Sequence, residues 1–165
     1  MNVCLFAGTF DPITVGHTKM IEKLLNKYDK VVVAIGVNPL KTPTFSLEER
    51  LSFIKKAFEN TSRVEVDSYT SLTVEYMQKK GIKVLVRGIR NDVDMRFEKE
   101  NENKSKTIYP ELITEYILAD AESKSVSSTE VRKAIENGQD YKNLVPKESY
   151  LLIEKAAKNL KENKG

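Results

Sequence analysis

The sequence holds one histidine, His17, and it closes the stretch FAGTFDPITVGH at residues 6–17. An apolar run from Val3 to Phe6 leads into Ala7 and Gly8, and a polar turn with Asp11-Pro12 follows. Gly16 and His17 then fall in the first turn of the next helix. Backbone N–H groups and the positive end of the helix dipole meet there, so the place favours an anion. An imidazole at that point can donate a hydrogen bond to phosphate. Gly8 and Gly16 permit close backbone approach, and Asp11-Pro12 fixes a turn. The pattern is neither a GxGxxG fingerprint nor a Walker A loop, whose lysine is missing. Three further stretches carry groups suited to phosphate. Lys41 stands between Pro39 and Pro43 in a stiffened loop. Arg87 and Arg90 flank Gly88-Ile89, an arrangement suited to bidentate contacts. Ser123-Lys124-Ser125-Val126-Ser127-Ser128-Thr129 offers hydroxyl and backbone donors at a helix start, where simple capping is the other reading.

Each of these stretches follows a short apolar run. NVCLF (2–6), KVVVAIGV (30–37), VEV (64–66), KVLVRG (83–88) and EYILA (115–119) read as strands. Helical spacing separates them. Met20, Ile21, Leu24, Leu25 and Tyr28 make one stripe. Leu47, Leu51, Ile54 and Phe58 make another over 46–60, opened by a Ser46/Glu49 capping box. A helix over 71–80 stops near Gly81, and Val131, Ala134 and Ile135 mark one that ends near Gly138. A C-terminal helix over about 147–160 carries Tyr150, Leu151, Ile153 and Ala157, and its polar tail KNLKENKG is expected to fray. The alternation predicts an α/β fold: a Rossmann-like, doubly wound, parallel five-stranded sheet with helices on both faces. Ligands of such sheets bind at the carboxyl ends of the strands, near the switch point of the winding, which is where the candidate residues lie.

The 165 residues suit one domain, with no internal repeat and no linker. A net charge of +3, with lysines and glutamates mixed along the chain, gives no argument for a nucleic-acid partner. Cys4 is the only cysteine, so no internal disulfide forms and no cysteine metal site can be built. No acidic cluster has metal-ligand spacing. No run approaches a membrane span and no signal peptide is visible, so no membrane partner and a cytoplasmic location are expected.

Taken together, Thr14-Val15-Gly16-His17 and Val126-Ser127-Ser128-Thr129 resemble the two signatures of the T/HxGH nucleotidyltransferase superfamily. Within it, GTFDPITVGH, PLKTPTFSLEER, VLVRGIRNDVDMRFE and GQDYKNLVP are similar to the bacterial phosphopantetheine adenylyltransferase family. The resemblance runs from residue 2 to about 155, in order and with family spacing. It implies transfer of an adenylyl group from ATP to 4′-phosphopantetheine, giving dephospho-CoA and pyrophosphate, without a protein nucleophile. It implies that His17 stabilises the transition state and that Thr9 touches both substrates. Phe10, Gly88, Ile89, Arg90, Glu98 and the stretch Ser123 to Thr129 would contact ATP. Lys41 and Arg87 would hold the acceptor phosphate, and Thr73 would line the pantetheine channel. Mg²⁺ would be bound mainly through the ATP phosphates, with no protein metal ligand. A homohexamer and feedback by CoA are implied in the same way.

The sequence departs from that family at two places. Ala7 stands where a proline is common. Residues 99–107 read KENENKSKT where the family continues an apolar-flavoured helix beside the pantetheine arm. Such a stretch cannot bury an apolar face. A helix is therefore expected from about Asn91, anchored by buried Met95 and Phe97, loosening after Glu98 and before Pro110. Two other readings stay open: an adenylyltransferase for nicotinamide or nicotinate mononucleotide, which SSTEVR also resembles, and a non-catalytic nucleotide-binding protein.

Overall fold

β1 (Val3–Gly8) sends Cys4 and Phe6 into one hydrophobic layer and Leu5 and Ala7 into another. β2 (Lys30–Gly36) divides in the same way, Val31, Val33 and Ile35 against Val32 and Ala34. Strands buried on both faces need apolar residues at every position, which is why these segments read as unbroken apolar runs. The computed structural model describes residues 1–89, 91–118 and 126–164. The remaining elements are α1 (Val15–Leu25), α2 (Leu47–Ala57), β3 (Val64–Tyr69), α3 (Thr73–Lys80), β4 (Val84–Ile89), α4 (Asp92–Ile108), β5 (Ile113–Leu118), α5 (Ser128–Glu136) and α6 (Tyr150–Lys164), with a 3₁₀ turn at Lys142–Leu144.

All strand pairs are parallel and the order is β3-β2-β1-β4-β5. The chain winds outward from β1 to β3, then crosses to β4 on the other side of β1, which is the expected Rossmann-like double winding. Residues of α1, α2, α5 and α6 pack in the layer with Phe6, among them Ile21, Phe53, Val131 and Ile153. Val74, Tyr76 and Met77 of α3, with Tyr109 and Leu112, fill the layer with Leu5. The register shows where the sheet opens. β1 pairs with β2 as far as Gly8↔Ile35, and β4 pairs with β5 as far as Ile89↔Leu118. Between β1 and β4 the ladder stops at Phe6↔Val86, so the carboxyl ends of the two central strands part at the switch point.

Several boundaries differ from the sequence reading. β5 begins at Ile113, two residues before the predicted run, and Ala119 lies outside the described residues. α6 starts at Tyr150 because residues 147–149 form a turn, in which Ser149 donates its hydroxyl to the Phe53 carbonyl at 2.6 Å. Its tail stays helical to Lys164 instead of fraying. The largest correction concerns α4, which is continuous to Ile108 through the polar stretch. Phe97 is 65% exposed and is no anchor, and Met95 is only half-buried. No residue of α4 is buried. Polar contacts and the helix ends hold it instead. The Asn91 side chain caps the N–H of Asp94 at 2.9 Å, and Tyr116 of β5 donates to Glu102 at 2.7 Å. Glu102 also pairs with Lys106 at 3.5 Å. The apolar anchor stands just past the helix, where buried Tyr109 donates to the Ile82 carbonyl at 3.1 Å.

Candidate active site

The turn after β1 is the centre of the site. Phe10 has φ of +47°, a left-handed conformation that is unfavourable for a residue with a bulky side chain. It holds because its surroundings fix it. The Phe10 ring is buried, edge-on to Phe6 at 5.8 Å and to His17 at 4.9 Å between centroids. A Cβ on Gly8 would stand 3.2 Å from the Phe10 ring, a tight contact that would press the ring aside by a few tenths of an ångström. Three of the turn's carbonyls are taken by side chains from other elements. Arg50 of α2 donates to the Thr9 carbonyl at 3.1 Å, and Arg132 of α5 donates to that of Asp11 at 2.8 Å. Ser128 donates to the Pro12 carbonyl at 2.7 Å. The Asp11–Pro12 peptide is cis.

His17 is fixed by the start of α1. Thr14 is the N-cap and its hydroxyl accepts the His17 N–H at 3.4 Å. In return, the Thr14 N–H donates to His17 Nδ1 at 3.0 Å, so the histidine fills the place that Glu or Gln takes in an ordinary capping box. A backbone amide can only donate. Nδ1 is therefore the acceptor, and the neutral ring carries its proton on Nε2. That N–H stands at the positive end of α1.

Two cavities meet this turn at the carboxyl ends of the strands. The larger, about 550 Å³, is lined by Thr9, Asp11, Lys41, Thr44, Arg50 and Arg132, with the loop from Gly36 to Pro43. The smaller, about 170 Å³, is lined by Phe6, Gly8, Phe10, His17, Arg87, Gly88 and Glu98, among others. Gly8 and Phe10 thus face one cavity, and Thr9 and Asp11 the other. Three cations line the larger cavity against one carboxylate, Asp11, which accepts the N–H groups of Thr44 at 2.8 Å and Phe45 at 3.0 Å. Burial pushes the Arg50 guanidinium below its ordinary value, and the Asp11 charge opposes that shift. In the smaller cavity Arg87 pairs with Glu98 at 3.4 Å. A Cβ on Gly88 would come within 3.0 Å of the Met20 sulfur, so this backbone lies close against α1.

The sequence-predicted residues divide accordingly. Thr9 and Lys41 come together on the larger cavity, and Phe10, His17, Arg87, Gly88 and Glu98 on the smaller. Ile89 is buried at the end of β4. Thr73 stands on neither wall, and its hydroxyl is hydrogen-bonded to that of Tyr69 at 2.8 Å. Val126 is half-buried just before α5, and Ser127 is the N-cap of that helix, accepting the Glu130 N–H at 3.2 Å. Thr129 accepts from Arg132 at 3.1 Å. Arg90, Ser123, Lys124 and Ser125 lie outside the described residues. Arg50 and Arg132 stand in the quoted stretches PLKTPTFSLEER and SSTEVR, but the sequence assigns neither a role. One signal for Arg50 was available: it precedes Phe53 and Ile54 by three and four residues, and so shares the buried face of α2.

The winding and the site at its switch point define a class. Residues 5–134 match the sequence model of the Cytidylyltransferase-like family. Among curated proteins, the chain is 39% identical over 146 residues to the phosphopantetheine adenylyltransferase of Flavobacterium psychrophilum, covering 88% of this chain and 96% of that one. It is 40% identical over 163 residues to that of Thermotoga neapolitana, covering 98% and 99%, and 37% identical over 147 residues to that of Christiangramia forsetii, covering 88% and 96%. The chain belongs to the phosphopantetheine adenylyltransferase family, within the cytidylyltransferase-like class.

Proposed function

We propose that the protein transfers the adenylyl group of ATP to 4′-phosphopantetheine, giving dephospho-CoA and pyrophosphate, as the names of its relatives indicate. The observation that carries this reading is the setting of His17, an imidazole locked as an Nε2 donor at a helix N-terminus beside a strained turn. An oxygen of the acceptor phosphate attacks the α-phosphorus of ATP. The bond from that phosphorus to the oxygen bridging to the β-phosphate breaks, and pyrophosphate leaves with the electron pair. No protein group is modified, so positioning and charge stabilisation supply the rate. His17 Nε2–H donates to the α-phosphoryl oxygens as charge gathers on them. Thr9, on the turn between the cavities, touches both substrates. Lys41 and Arg87 approach the acceptor phosphate from the two sides of the turn, and Thr73 lines the pantetheine channel. Phe10, Gly88, Ile89, Arg90, Glu98 and the run Ser123 to Thr129 hold ATP.

Mg²⁺ enters with ATP, bound mainly by its phosphates. Among the described residues no group of three or more His, Cys, Asp or Glu side chains is placed to hold a metal ion. The carboxylates at the cavities already have protein partners, Asp11 two amides and Glu98 an arginine. The reading includes a homohexamer, feedback by CoA and a cytoplasmic location. Among the described residues no helix is long and apolar enough to cross a membrane.

The test is pyrophosphate release with ATP and each of three acceptors: 4′-phosphopantetheine, nicotinamide mononucleotide and nicotinate mononucleotide. Turnover with the first alone is expected. Turnover with a mononucleotide in its place would overturn the acceptor, and ATP binding without any turnover would make the protein a non-catalytic nucleotide binder.

A further inference from the structure

The lysine loop has no regular secondary structure of its own, so something outside it must set where Lys41 stands. Within the loop, the Asn38 carbonyl accepts the Lys41 N–H at 3.1 Å and the Asn38 side chain accepts the Leu40 N–H at 2.9 Å. These bonds shape the loop's first half but do not attach it to the rest of the site. Its second half is attached by two side chains, Asp11 through its amides and Arg50 through a carbonyl. Asp11, only 6% exposed, accepts the Thr44 N–H on Oδ2 at 2.8 Å and the Phe45 N–H on Oδ1 at 3.0 Å, across more than thirty residues of sequence. Phe45 is fully buried beneath it, and Arg50 donates to the Phe45 carbonyl at 3.0 Å. Both carboxylate oxygens are thus directed at consecutive amides, three and four residues from Lys41. The same side chain belongs to the turn that carries Thr9 and Phe10.

We propose that Asp11 is a positioning residue for the acceptor side of the reaction: its buried carboxylate holds the base of the loop that carries Lys41, and so ties the acceptor cation to the ATP-facing turn. The inference rests on the reading of Lys41 as an anchor for the acceptor phosphate. A carboxylate is required because both of its oxygens accept. An asparagine in its place turns an N–H towards one of the two amides whichever way it lies, so one bond becomes a repulsion. A buried charge-assisted bond is worth enough that its loss should release the loop without dissolving the sheet.

The experiment is a double-mutant cycle on Asp11→Asn and Lys41→Ala, read as the calorimetric affinity for 4′-phosphopantetheine, with ATP titrated separately. Asp11→Asn should weaken the acceptor about 10-fold in the wild-type background and less than about 2-fold once Lys41 is gone, with ATP affinity changed less than the acceptor's. Hydrogen exchange of the Thr44 and Phe45 amides should become fast in Asp11→Asn while the β2 amides stay slow. Multiplicative losses in the cycle, or unchanged protection of both amides, would overturn the proposal while leaving the function intact. A wild-type protein that binds no 4′-phosphopantetheine would overturn the functional reading, and this inference with it. Should Asp11→Asn not fold, Thr44→Pro deletes one of the two amides at an exposed residue, and its weaker acceptor loss, about 3-fold, must likewise vanish in the Lys41→Ala background.

Discussion

Replacing His17 by alanine removes its edge-on contact with Phe10 and two polar interactions, and the geometry separates the polar two. The first is the Nε2 donor to the α-phosphate. Loss of one such donor in other enzymes lowers kcat by about 10²–10³, or roughly 2.7–4 kcal/mol. The second is the acceptor for the Thr14 N–H, bonded to Nδ1 at 3.0 Å. Its loss leaves half of the α1 capping box and should lower folding stability by about 1 kcal/mol. Glutamine at position 17 tells them apart. It is a regular partner at the third helical position and can reach back to the Thr14 amide, so it restores the cap. It cannot present the rigid Nε2–H of a tautomer-locked imidazole at the same point. His17→Ala is therefore expected to lose both kcat and stability, and His17→Gln to regain stability while kcat stays low. Initial rates of pyrophosphate release and urea unfolding curves measure the two quantities, and ATP affinity should change little in either variant. A His17→Ala enzyme with near wild-type kcat would refute the catalytic role. Recovery of kcat together with stability in His17→Gln would show that the histidine acts through the cap alone.

Lys41→Ala should weaken 4′-phosphopantetheine by about 10-fold or more and leave ATP affinity unchanged in calorimetric titrations, since a cation–phosphate contact is at stake; equal losses would place the lysine on ATP or in the fold. Glu115 accepts from Lys27 and Tyr28. Burial raises its carboxyl, but those bonds outweigh burial and hold it below its ordinary value. A depressed folded value means that its contribution is present above the unfolded carboxylate range and is lost as pH falls through the folded one. Glu115→Gln should therefore be less stable than wild type at about pH 7 and equal to it in strong acid, as read by urea midpoints at each pH; a difference that grows in acid would refute this. Cys4 is fully buried, and burial first, then the nearby Glu115 charge, push its thiol up to about 12. Iodoacetamide near pH 8 should therefore label it only through unfolding, with a rate that rises with denaturant, and fast labelling of the native protein would contradict that placement.

What could be read from the sequence depended on whether a residue's environment is local. The central strands were legible because burial on both faces leaves an unbroken run such as Val31–Ile35. The capping box at Ser46 and Glu49 was legible because both partners lie within four residues. His17 stood out as the only imidazole, at a strand–turn–helix junction. Its tautomer was not legible, because Thr-x-x-His reads as a capping box only once the ring is seen to replace Glu at the third position. The continuity of α4 was hidden for a different reason. Nothing apolar marks residues 99–107, and the helix is held by Tyr116 on a neighbouring strand and by Tyr109 beyond its end. The roles of Arg50 and Arg132 escaped notice because charged residues on helices are usually solvated, and nothing local shows that their partners are carbonyls 41 and 121 residues away.

Those carbonyls bear on how the chain can accept two anionic substrates. A main-chain oxygen that faces a phosphate repels it, and the turn after β1 brings its carbonyls close to the point where the cavities meet. Arg50, Arg132 and Ser128 take the carbonyls of Thr9, Asp11 and Pro12 in turn. Each bond removes an acceptor that would oppose phosphate, and each also fixes one residue of a turn that contains a left-handed Phe10. Two of the three donors belong to α5, the helix that carries the second signature. The Ser128 side chain of that signature, and Arg132 one turn further along α5, therefore act first on the protein's own backbone, holding the turn that leads into the first signature. The two motifs are then one construction, and a substitution at Arg132 should disturb the turn before it disturbs any contact with a ligand.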